Sequence, residues 1–198
     1  MSNDTGEKES ALWARVRAGD GEALGDVFDL HHHRVYRHAL WVLGNTHDAE
    51  DVTATAFLEL WRRRRDVRQV EGSVLPWLLV TTANVCSNAK RSKRRYSTLL
   101  AALPRSDAAK SAEEEAFIRA DAFERVDPAL AEQLRDLPRG TLSLFILTAI
   151  EDYSVADAAK AIGVSEGAAK TRLSRARAAL RNANVSHTYA QQTEGGTS

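Results

Sequence analysis

VADAAKAIGVSEGAAKTRLSRARAALR, residues 155–181, reads as two short helices on either side of a glycine turn. In the first, Val155, Ala158, Ala159 and Ile162 share a face, because residues three and four apart in a helix lie one above the other. Gly163 supplies the turn, since glycine enters the left-handed region without a Cβ clash. Val164 plugs the space between the helices, Ser165 caps the second one through its hydroxyl, and Ala168 and Ala169 are small enough for a close crossing. Along that second helix Ala169, Leu173, Ala176 and Leu180 form an inward arc. At about 100° per residue, Lys170, Ser174, Arg177 and Arg181 take one outer flank and Thr171 and Arg175 another. The outer side is therefore nearly all hydrogen-bond donors. This is the pattern of a helix-turn-helix, whose second helix enters the major groove of DNA with its N-terminal residues deepest. Ser165, Glu166 and Gly167 begin that helix; Lys170, Thr171, Arg172, Ser174, Arg175 and Arg177 follow it outward. Lysine and arginine neutralise phosphates there, and arginine also bonds bidentately to guanine.

A module this small binds weakly alone, so the rest of the chain must supply a second contact. The 198 residues carry no net charge, yet the charge is strongly segregated. Counting Lys and Arg against Asp and Glu, residues 1–61 balance at −6, 62–95 at +8, 96–136 at −4 and 137–198 at +2. A polyanion can dock on the basic segments while the acidic ones face solvent or a basic protein.

Helical periodicity runs through the first half, with almost no strand signal. Leu24, Val27, Phe28, Val35, Ala39 and Val42 recur at spacings of mostly three, four and seven, one face of a helix over residues 22–43. Gly44, Asn45 and Thr46 break it, and Asp48 is positioned to cap the next helix, whose inward set is Val52, Ala56 and Leu60, with Phe57 and Trp61 beside it. Four arginines, Arg62, Arg63, Arg64 and Arg65, follow directly. After a loop containing Glu71, Gly72 and Ser73, a third helix starts near Pro76, which is tolerated in a first turn. It carries Trp77, Leu78, Val80, Ala83 and Val85 into the basic stretch KRSKRR, residues 90–95.

The expected architecture is all-α: a helical domain over residues 10–95, a flexible linker over 96–112, a second helical domain over 113–182 and a disordered tail over 183–198. Pro104 and the small polar residues around it mark the linker. One cysteine, Cys86, excludes an internal disulfide and fits a reducing, cytoplasmic location. The polar start MSNDTGEKES lacks an apolar core, and no stretch is apolar enough to insert in a membrane. His31, His32 and His33 are consecutive and point about 100° apart, whereas chelation on a helix needs i, i+4 spacing; no metal or other cofactor is expected. No nucleophile constellation or glycine-rich phosphate loop is present, so the chain does not read as an enzyme.

The string DYSVADAAKAIGVSEGAAKTRLSRARAALR resembles region four of the sigma-70 family, extracytoplasmic-function type; taken alone it also resembles the DNA-binding domain of LuxR-type response regulators. The first half separates the two. Asp48-Ala49-Glu50-Asp51-Val52, then Ala56-Phe57-Leu58 and Trp61, then Pro76-Trp77-Leu78 and Ala83-Asn84 before a basic cluster, resemble sigma region two in order and spacing. Thr53-Ala54-Thr55-Ala56 stands where many members carry a glutamine and a glutamate, and Ala168 where threonine is frequent.

The resemblance implies a dissociable subunit of RNA polymerase that recognises and opens promoters. Glu50, Asp51, Thr55 and Leu58 would then bind the clamp of the largest subunit of core RNA polymerase. Arg65, Trp77, Thr81, Asn84, Asn88, Lys90 and Arg91 would hold the minus-ten element, and the helix beginning at Ser165 would read the minus-thirty-five element of promoter DNA. Capture of an extruded base needs stacking and edge hydrogen bonds, for which Trp77 and Asn84 are the candidates. Each has a plainer reading too. Trp77 and Trp61 sit among apolar neighbours as core residues do, and Glu50 and Asp51 would stabilise a helix N-terminus in any case. An anti-sigma factor is a partner the family commonly has. The alternative is an independent helix-turn-helix regulator of LuxR-like type.

Overall fold

The computed structural model describes the backbone of residues 2–101 and 133–194, and the side chains of residues 6–99 and 133–181. Among the described residues lie the helices α1 (Ser2–Ala18), α2 (Gly21–Leu43), α3 (Thr46–Arg62), α4 (Leu75–Ala101), α5 (Arg139–Ala149), α6 (Val155–Ile162) and α7 (Glu166–Glu194). The chain divides into two compact units, Met1–Ala120 and Asp121–Ser198. The expected boundary near residue 113 lies outside the described residues.

In the first unit, local chemistry sets the helix ends. Asp20 caps α2 by accepting from the backbone N–H of Glu22 (3.0 Å) and Ala23 (3.1 Å). The Ala23 bond, followed by the Arg15 side chain, holds its carboxyl below the usual range. Gly44 ends α2 at φ +71°, its N–H reaching the Leu40 carbonyl at 2.7 Å. The cap of α3 is Asn45 rather than Asp48: its side-chain oxygen accepts from the Asp48 N–H at 2.8 Å, which leaves Asp48 in the first turn. Both are cap-forming residues, and the cap stands three residues earlier than the expected one.

Trp13, Val16, Ala23, Val27, Val35, Ala56, Phe57, Leu60, Val67, Val74 and Leu78 form the core of this unit, with Leu24, Trp61 and Trp77 packed at its margin. The expected inward residue Phe28 is instead 38% exposed. It lies one position beyond Val27, and the inward arc of α2 turns through Ala23, His31 and His38. Where residues 96–112 were expected to be linker, α4 continues through Ala101, and residues 102–112 lie outside the described residues. A second difference is α1, which begins before the expected domain and buries Glu9, Trp13 and Val16.

His38 is 1% exposed, and neither ring nitrogen has a hydrogen-bond partner. Burial pushes its pKa down from 6.5 to about 4. As pH falls, the unfolded chain takes up this proton first, so stability present above pH 6.5 is lost between pH 6.5 and 4. By pH 5 the loss is about 2 kcal/mol. Denaturant titrations at pH 7.5 and pH 5 should show this extra loss in the native chain and not in His38→Leu; equal slopes in the two proteins would remove His38 as the cause.

In the second unit, Leu134, Leu142, Leu144, Ile146, Leu147, Ala158, Ala159, Ala169, Leu173, Ala176 and Leu180 are buried. Ser154 caps α6 by accepting from the Asp157 N–H, and Gly163 closes it at φ +74°. Residues 183–194, expected as a disordered tail, continue α7. No helix among the described residues is long and apolar enough to cross a membrane.

Candidate nucleic-acid interface

The α6–α7 pair is built as its sequence requires. Ala158, Ala159, Ala169 and Leu173 are each at most 2% exposed, so three buried alanines and Leu173 fill the space between the two helices. Ser165 accepts from the Ala168 N–H at 3.3 Å and starts α7. With Ala169, Leu173, Ala176 and Leu180 inward, Glu166, Gly167, Lys170, Thr171, Ser174, Arg175 and Arg177 are exposed. Lys170, Ser174, Arg177 and Arg181 line a groove of about 300 Å³ that Val155 closes. Lys170 is paired with Glu166 at 2.6 Å; an exposed i, i+4 pair is worth only about 0.3–0.5 kcal/mol, so a phosphate can displace the carboxylate. Arg172 stands apart from the others, its guanidinium reaching toward Gly140 at the start of α5.

A second surface lies on α4. Trp77, Thr81, Asn84, Asn88 and Arg91 follow one another at spacings of four, three, four and three, which confines them to a stripe about 80° wide. Trp77, Thr81 and Asn84 are half-buried; Asn88 and Arg91 are exposed. Lys90 is not on this stripe: it is half-buried beside Cys86, on the opposite side of the helix. Burial pushes the Cys86 thiol up to about 12, against the smaller opposing influence of Lys90.

Between α3 and α4 the chain forms a feature absent from the sequence reading. Val70 and Ser73 exchange backbone hydrogen bonds at 2.9 and 3.0 Å around Glu71 and Gly72, whose φ values are +51° and +78°. Two positive φ values in a two-residue connection are the pattern of a type I′ turn. The signal was the Glu71-Gly72 dipeptide, without alternating strands to flag it. Arg65 lines a basic cleft of about 720 Å³ with Trp13, Arg17, Arg68 and Gln69. Arg17 joins it from another helix, which no local pattern announces.

On α3, Glu50, Asp51, Thr55 and Leu58 are exposed, with Asp51, Thr55 and Leu58 one above another. The Thr55 hydroxyl donates to the Asp51 carbonyl at 2.8 Å. Leu58 is 48% exposed, at the edge of an apolar groove formed with Leu24, Phe28, Phe57 and Trp61. Of the consecutive His31, His32 and His33, His31 turns inward to Glu9, and His32 stacks on Phe28 with ring centroids 5.0 Å apart.

Residues 27–96 match the Sigma-70 region 2 family and residues 128–180 match Sigma-70, region 4. ECF RNA polymerase sigma factor SigM of Mycobacterium tuberculosis strain Erdman is 30% identical over 171 residues, covering 85% of this chain and 81% of the relative. The chain belongs to the sigma-70 family, extracytoplasmic-function type. RNA polymerase sigma factor CarQ of Myxococcus xanthus is likewise 30% identical over 172 residues, 84% of this chain and 92% of CarQ. Two solved structures share the fold. CnrH, in complex with the cytosolic domain of CnrY, has a TM-score of 0.59 at 23% identity, covering 88% of this chain and 95% of CnrH. The sigma factor RpoE of Bartonella quintana, in complex with the anti-sigma factor NepR, has a TM-score of 0.52 at 21% identity, covering 79% and 92%. As a sigma factor, the chain binds core RNA polymerase and promoter DNA and directs transcription initiation. An independent LuxR-like regulator is not supported, since region two and region four occur together in one chain. Sigma factors are DNA-binding regulators.

Proposed function

We propose that three surfaces of this sigma factor divide the work of initiation. The Glu50, Asp51, Thr55 and Leu58 face of α3 binds the clamp of the largest polymerase subunit. Arg65 and the Trp77, Thr81, Asn84, Asn88 and Arg91 stripe hold the non-template strand of the minus-ten element. Residues 165–177 of α7 read the minus-thirty-five element, with Ser165, Glu166 and Gly167 nearest the bases and Thr171, Ser174 and Arg175 at the apex. Lys90 and Arg172 have supporting roles on the backbone.

The observation that carries this reading is chemical sorting on three faces, two exposed and one half-buried over Trp77, Thr81 and Asn84. An acidic and apolar face, an amide and aromatic stripe ending in arginine, and a donor-rich helix each match a different ligand. The protein supplies binding energy, and the polymerase carries out the chemistry; no catalytic group of its own is needed. An anti-sigma factor is proposed as a further partner, because the RpoE structure holds one. The working compartment is the cytoplasm, where core polymerase resides.

Run-off transcription with core polymerase lacking any sigma factor tests the reading: added protein should confer initiation at defined start sites. No promoter use together with tight binding of the free protein to duplex DNA would overturn it. Within the same assay, Asp51→Ala should weaken core binding roughly tenfold, as an interface anchor does, while minus-thirty-five duplex binding stays within twofold. Unchanged core affinity would remove Asp51 from the clamp contact.

A further inference from the structure

One face of α1 is devoted to the segment that joins α3 to α4. Gly6, Glu9, Ser10, Trp13 and Arg17 lie within one helical stripe, and each meets residues 65–75 or the cleft they form. Glu9 is 3% exposed, and its Oε1 accepts three hydrogen bonds: from His31 Nε2 at 2.9 Å, the Ser73 hydroxyl at 3.0 Å and the Val74 backbone N–H at 2.7 Å. The Ser73 oxygen in turn accepts from the Leu75 N–H at 3.1 Å, at the first residue of α4. Ser10 donates to the Gly72 carbonyl at 3.3 Å, and Gln69 donates to the same carbonyl at 2.6 Å. Arg17 reaches the Arg65 carbonyl at 3.5 Å. The approach is close enough that a Cβ on Gly72 would stand 2.8 Å from the Gly6 carbonyl oxygen.

We infer that α1 is a template for the 65–75 segment and that Glu9 is a positioning residue for capture of the minus-ten strand. This rests on the reading that Arg65 and the α4 stripe hold that strand. The physical need is clear from the turn itself. Glu71 is a non-glycine residue at positive φ, a conformation that persists only where surrounding bonds enforce it. Glu9 supplies part of them from one atom, tying the turn through Ser73 and the residue before α4 through Val74, with His31 bonded to the same oxygen, while Ser10 and Gln69 hold the Gly72 carbonyl. Glu9 touches no DNA in this arrangement. It sets where Arg65, Arg68 and Gln69 stand relative to Trp77 and Asn84.

The test uses the full chain assembled with core polymerase and a fluorescent single-stranded oligonucleotide carrying the minus-ten element, with each base varied in turn. Glu9→Met keeps length and removes the acceptor. It should lower strand affinity at least tenfold and flatten the base preference at one position or more, while core affinity stays within twofold. A merely structural role would lower core and strand binding together and leave the base preference unchanged, and that result would overturn the inference. So would strand affinity within twofold of the native value. Ser10→Ala, which removes the bond to the Gly72 carbonyl and the bond from Gln69 Nε2, should give about a threefold loss of the same kind and decides the matter if Glu9→Met does not assemble. Asn84→Ala separates the two claims. If it weakens the strand and the α1 variants do not, the template fails alone; if Asn84→Ala and Arg65→Ala are both silent, the underlying strand-binding reading fails.

Discussion

Alanine in place of both Arg175 and Arg177 is expected to lower transcription from a promoter that depends on its minus-thirty-five element by about a hundredfold. Both side chains are exposed on α7, and neither contributes to the buried arc of Ala169, Leu173, Ala176 and Leu180, so the fold should survive the change. A lost arginine contact to a base edge costs about 1–3 kcal/mol, and each 1.4 kcal/mol is tenfold. The two residues sit on different flanks of the helix, which makes their losses nearly additive. Salt dependence distinguishes their partners. A phosphate contact lowers the slope of log affinity against log salt by about one when removed, whereas a base contact relaxes preference at one position. Measured by run-off transcription and by duplex binding of the holoenzyme, a loss below threefold, or an equal loss of core affinity, would count against α7 as the reading helix.

Trp13→Ala should be the most damaging single change to stability in the first unit. Trp13 is 2% exposed and packs in the core with Val16, Val27, Leu60 and Leu78. Truncating a buried aromatic to alanine costs about 3–5 kcal/mol, a large part of the total stability of a small domain. In thermal melts the first unit should lose about 10 °C or more. A shift of only two or three degrees would mean that α1 is an appendage to the bundle rather than part of it. The distinction bears on function, because the same helix carries Glu9, Ser10 and Arg17 to the 65–75 segment.

Much of the second unit was legible because its determinants are local. Gly163 has φ +74°, Ser165 caps α7 and the inward arc of α7 is buried, all within a few residues of the pattern that announces them. The all-α class followed from the same periodicity. In the first unit, the α2 and α3 stripes are readable, but periodicity puts Phe28 inside, where the fold exposes it, and points to Asp48 for a cap that Asn45 forms. Periodicity locates an arc to within one neighbour on either side, and cap identity depends on which of two competent side chains meets the first free N–H.

The helix-turn-helix was thus settled by the sequence itself, because turn, cap and core arc all arise from neighbours three or four residues apart. Sequence order and spacing also supplied the likeness to region two. Only the tertiary structure decided what holds the 65–75 segment. Glu9 and Val74 are 65 positions apart, and a polar start of chain gives no sign that one of its carboxyl groups will be buried. The reason is physical: a glutamate is nearly always exposed unless distant donors converge on it, and that convergence exists only after the chain has folded.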